Sequence, residues 1–179
     1  MFGPKENHES FTGGAAVARN SVFRSILTVD IPVKYVICPD SYKLEALALV
    51  SVLLHLGDEA YYAHLYVDNE ALVKKMNQTA DSQDLPQHPL VNPLCQMRIQ
   101  KRLNVHWIRS HPELRKSRDN WSFFELGNRI ADLLTNNDLK TALQLIPYKV
   151  KYEALQFPSE AIEVTIKALH ALLVTTDNG

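Results

Sequence analysis

The chain has 179 residues, of which 46% are hydrophobic and 22% charged, and a net charge of −1. That length fits one domain with a sizeable core, and the charge balance excludes a global field drawing it to nucleic acid or membrane, so any nucleic-acid surface must be a local patch. Cys38 and Cys95 are too few and too isolated for a disulfide framework or a zinc site, the polar start MFGPKENHES lacks the apolar core of a signal peptide, and the longest apolar run, 44–56, is too short to span a bilayer.

In chain order, 11–19 and 21–31 are short apolar stretches separated by Asn20 and Ser21, the pattern of a β-hairpin. Residues 34–38, KYVIC, extend the second strand or add a third. Residues 42–56, YKLEALALVSVLLHL, are apolar nearly all round and predict a mostly buried helix. A strand follows over 61–67, YYAHLYV, with Asp68 at its end, and then a short amphipathic helix over 69–78. Residues 79–93 form a polar loop with three prolines. Residues 94–103 predict a helix with a basic face, and 105–108 a short strand. A charged loop over 109–121 leads to Ser122 and Glu125, spaced as a capping box opening a helix to about Leu134. Residues 147–158 are strand-like and 160–174 helical. The order is that of an α/β domain with an antiparallel start and helical crossovers later. Its limits are read as 11–137, after a polar segment 1–10 and before an extension 138–179.

Three acids fall where chemistry is placed. Glu45 is read as lying in the first turn of the buried helix. Asp68 ends a strand, where open α/β sheets place ligands. Asp132 lies on the last helix of the domain. Converging, they would form an oxygen cage suited to Mg²⁺ or Mn²⁺. Each also has a structural reading: Asp68 as a helix N-cap, Glu45 as an acid favoured by the helix dipole, Asp132 as part of a solvated face.

The combination resembles a known family. A hairpin, a helix with Glu ("SYKLEALALVSVLLHL"), a strand ending in Asp ("LYVDNEALVKKM"), a strand with a histidine loop ("VHWIRSHPE") and the helix "GNRIADLL" are together similar to type 1 ribonuclease H over about residues 11–136. The form of the histidine loop looks closest to the ribonuclease H domains of retrotransposon polyproteins. The resemblance implies a ribonuclease H-like mixed sheet, an antiparallel hairpin plus parallel strands, flanked by helices. It implies Glu45, Asp68 and Asp132 as metal-binding catalytic carboxylates of a two-metal site, and His111 as a mobile loop residue assisting proton transfer or product departure. Asn128, one helical turn before Asp132, and the loop residues Arg109, Arg115 and Lys116 would contact substrate. The substrate implied is an RNA–DNA hybrid, the setting intracellular, nuclear or cytoplasmic, and the context a larger polyprotein with a reverse transcriptase.

The family's first strand, which carries its first catalytic Asp, has no counterpart. Gly13 and Gly14 match the start of the second strand, and none of the 12 residues before them is Asp. Three expectations follow: the hairpin pairs directly with the strand of Val67, residues 148–154 fill the gap, or the reading frame begins just after the catalytic Asp of a larger element, which is the favoured one. Loss of that Asp predicts weak or absent cleavage. A non-catalytic module on the same fold, and an unrelated α/β domain whose acids are caps, are the other readings. Trp107 and Trp121 are candidate stacking surfaces, with a strand Trp more often core. His55, His64 and His106 are read as structural.

Overall fold

The computed structural model describes residues 10–32, 41–78 and 92–157. The possible strand at 34–38, the proline loop over 79–91, Cys38 and the helix expected over 160–174 lie outside them.

The hairpin forms as expected. Strands β1 (Ser10–Arg19) and β2 (Val22–Pro32) pair antiparallel, and Asn20 and Ser21 both take positive φ in the two-residue turn, the geometry that matches strand twist. Helix α1 (Ser41–Leu56) buries Leu47, Val50 and Leu53. Strand β3 (His64–Val67) is shorter than the sequence suggests, because Tyr62 adopts φ +64° and turns the chain before it. Helix α2 (Glu70–Met76) and helix α3 (Asn92–Gln100) follow, and Arg102 at φ +52° closes the latter region before β4 (Asn104–Trp107). β3 and β4 pair in parallel.

Helix α4 (Phe123–Thr135) opens with the capping box read from the sequence: the Glu125 amide donates to Ser122 Oγ at 3.1 Å and the Ser122 amide to Glu125 Oε1 at 3.0 Å. Such a cap contributes about 1 kcal/mol. Helix α5 (Leu139–Gln144) and strand β5 (Lys151–Gln156) complete the described chain. The described part of the segment read as an extension, residues 138–157, packs into the domain. Ala142, Leu145 and Ile146 bury against Phe23, Ile26 and Ile130, and β5 pairs in parallel with β2.

The domain is thus α/β, with antiparallel and parallel strand pairing flanked by helices. Its strands form two groups, β1-β2-β5 and β3-β4. Two sequence expectations are corrected. β5 pairs with β2 and forms no ladder with β3 among the described residues, so 148–154 does not bridge the hairpin to β3. Nor does the hairpin pair with the strand of Val67, since no ladder joins β1 to β3 among the described residues. β2 gives its other edge, Ser25 to Asp30, to Lys151–Gln156.

The two faces of the hairpin carry different layers. Odd residues Leu27, Val29 and Ile31 join α1 in one core, which continues under Leu65, Val67 and Val105 of β3 and β4. Ile26 and Ala16 face the second core with α4 and α5. Gly13 and Gly14 make this possible. A Cβ on Gly13 would stand 2.6 Å from Ala48 Cβ of α1, and one on Gly14 would stand 2.5 Å from the Ala131 carbonyl of α4. Adjacent strand residues point to opposite faces, so the two helices grip β1 from both sides. α4 also reaches β3 with its first turn, but the rest of the β3–β4 face on that side keeps His64, Tyr66 and His106 exposed.

Candidate metal-binding carboxylates and the loop beside them

Glu45 lies in the second turn of α1, past the reach of a first-turn dipole effect. Asp68 follows β3, but it is not the cap of α2. That role falls to Asn69, whose Oδ1 accepts from the Leu72 amide at 3.0 Å. The two structural readings for these acids are therefore replaced by a meeting of side chains. The Glu45 carboxyl is hydrogen-bonded to that of Asp68. Burial, then the Asp68 hydrogen bond and the Asp68 charge, push Glu45 up to about 8, while a hydrogen bond from Asn69 pulls the other way. A bond between two carboxyls needs a proton on one of them, so near neutral pH Glu45 donates to Asp68. Trp107 Nε1 donates to the Asp68 carbonyl at 3.3 Å and fixes the backbone there.

His111 and Asp132 meet in a second group. His111 takes a left-handed conformation, φ +57°, at the head of the turn Pro112–Leu114. Its Nδ1 lies 3.0 Å from Glu113 Oε2. Arg129 Nη1 donates to the same Glu113 oxygen at 3.2 Å and to Asp132 Oδ2 at 3.0 Å. Burial alone would raise Glu113, but a backbone hydrogen bond, the His111 hydrogen bond and the Arg129 charge together hold it below its usual range. His111, Glu113 and Asp132 each offer a ligand atom within 4.8 Å of the others, so the group can hold a metal ion. Arg129 already bridges two of its three members.

The structure therefore brings Glu45 to Asp68 and His111 to Asp132. It does not gather all of them into one group of ligand atoms within 4.8 Å among the described residues. Asn128 sits partly buried one turn before Asp132. Of the loop cations, Lys116 Nζ is 2.9 Å from Glu125 Oε1, and Arg115 is 3.6 Å from Glu125 Oε2 while donating to the carbonyls of Arg109 and Ser110. Arg109 is exposed. Other basic residues also serve local structure: Lys101 donates to the Gly57 carbonyl at 3.0 Å, and Arg118 to that of Leu145.

Sequence reasoning missed Glu113 and Arg129. Their signals were local: Glu113 stands two residues after His111, and Arg129 stands three before Asp132, a spacing that places both on one helix face. No protein-family model, curated protein or solved structure matches the chain.

Proposed function

We propose that this chain is a ribonuclease H-like domain that binds RNA–DNA hybrids and, with Mg²⁺ or Mn²⁺, hydrolyses the RNA strand weakly. The observation that carries the reading is the Glu45–Asp68 pair at the end of a parallel strand, a carboxyl and a carboxylate held together by a proton. Oxygen donors of this kind fit a hard divalent cation, which takes the place of the proton. Glu45 and Asp68 would be its ligands. Bound there, the ion supplies a polarised water and positive charge against a phosphodiester. Glu45 must release its proton for this, Asn69 orients it, and Trp107 steadies Asp68.

A second reading, a non-catalytic module on the same fold, is favoured by Arg129, which keeps Asp132 and Glu113 engaged with a cation of the chain itself. One assay separates the two. A labelled RNA–DNA hybrid is incubated with the protein and Mn²⁺, beside Asp68→Asn. Slow cleavage lost in the variant supports the enzyme. Binding without cleavage in either protein supports the module. A protein that neither binds nor cuts the hybrid sinks both.

A further inference from the structure

The exposed face of β3–β4 carries an assembled row of rings. His64 stacks on His106 at 5.3 Å between centroids, His106 on Tyr66 at 4.9 Å, and Tyr66 on Phe124 at 4.1 Å, all within 22° of parallel. His64 Nδ1 and His106 Nε2 are hydrogen-bonded at 3.0 Å. At its Phe124 end the row opens into a shallow cleft of about 280 Å³ lined by Tyr66, Phe124, Trp107, Arg109, Arg115 and Glu125, among others. Tyr66, Phe124 and Trp107 are 39%, 44% and 47% exposed, although each could have contributed about 1.5–3 kcal/mol if buried. Of the two readings of Trp107, stacking surface and strand core, the surface one fits its exposure: its indole lies at the surface, tied by Nε1 to the Asp68 carbonyl.

Two features select the ligand. The cleft is small for a drug-sized molecule and far too small for a helix; Tyr66 is stacked between His106 and Phe124, so Phe124 and Trp107 are the rings left to meet one planar heterocycle. Its rim is positive: Arg109, Arg115 and the adjoining Lys116 outnumber Glu125 by two charges. Arg115 Nε is out of solvent and has no hydrogen-bond partner. A planar ring next to an anion describes a nucleotide.

We propose that this cleft stacks one unpaired nucleobase of a single-stranded nucleic acid, with its phosphate against Arg109 and Arg115. The ring row is already ordered, so binding need not freeze it. Stacking of this kind tolerates any base. The cleft shares Trp107 with Asp68, whose carbonyl accepts the indole N–H, but stacking a base needs no metal, so this binding can stand if hydrolysis fails.

The test uses the full chain in EDTA with Trp121→Phe, which leaves Trp107 as the indole reporter. Single-stranded oligo(dT) and oligo(U) are titrated, and a proline-rich peptide serves as the competing probe. Quenching by the oligonucleotides is expected. Trp107→Ala should weaken binding about tenfold, measured by anisotropy of a labelled strand, while Trp107→Phe recovers most of it. Arg109→Gln should reduce the salt dependence by about one phosphate contact. Oligonucleotide binding equal in Trp107→Ala and the parent overturns the proposal. So does quenching by the peptide with none from the strands. Melting curves of each variant establish that a loss is not unfolding.

Discussion

Two pairs of acids in this fold have been settled in opposite ways. Glu45 and Asp68 meet by sharing a proton, and burial pushes Glu45 up to about 8. Glu113 and Asp132 meet around the Arg129 guanidinium, and Glu113 stays below its usual range. Carboxylates pressed together need positive charge. The first pair takes it from solution as a proton, and so responds to pH. The second has it built in at a fixed position. That contrast separates a pair whose charge is exchanged with solution from one whose charge is fixed by the chain.

The contrast can be broken or sharpened by substitution. The largest effect is expected from Asp68→Ala, which removes one of the two proposed ligands. Mn²⁺ binding followed by calorimetry should weaken at least about 100-fold, beyond the range that outer contacts command. Unchanged binding would move the cation to the second group.

Next comes Glu45→Gln. The folded pKa of Glu45 exceeds its unfolded value of 4.5, so the native state binds the extra proton between about 4.5 and 8. Stability then falls as pH rises through that window. A glutamine donates to Asp68 at every pH. The variant should match the parent near pH 4 and exceed it by roughly 1–3 kcal/mol above pH 8 in urea unfolding, the figure being discounted for partial exposure. A gap that is constant with pH would show that the shared proton is not the cause.

Arg129→Gln should turn the second pair into the first kind. Without the guanidinium, His111, Glu113 and Asp132 should gain Mn²⁺ affinity about tenfold in the same calorimetry, by loss of a competing charge. No gain would mean that their spacing, not Arg129, decides. The smallest effect belongs to His111→Ala. Its contact with Glu113 is half exposed, so melting should shift by no more than about 0.5 kcal/mol in free energy.

Much of this was legible locally. The alternation of the hairpin, the all-round apolar helix α1 and the Ser122–Glu125 cap each depend on neighbours in sequence, and each formed where the pattern placed it. Asp68 beside Asn69 was half legible: both are capping residues, and only packing decided that Asn69 caps while Asp68 turns to Glu45. The place of β5 was not legible. Its pairing with β2 joins segments far apart in the chain, and the local pattern of neither one names the other as its neighbour. Arg129 escaped notice for another reason. Its partner Glu113 is delivered by the left-handed turn at His111, a conformation that sequence spacing does not specify.

The double glycine of β1 has a consequence for assembly. With no side chains at Gly13 and Gly14, the middle of the hairpin has little cross-strand contact of its own and the full entropic cost of two glycines. What holds it is Ala48 on one side and Ala131 with Leu134 on the other, delivered from much later in the chain. The hairpin is therefore expected to lock in together with α1 and α4, through distant contacts of the kind that slow folding.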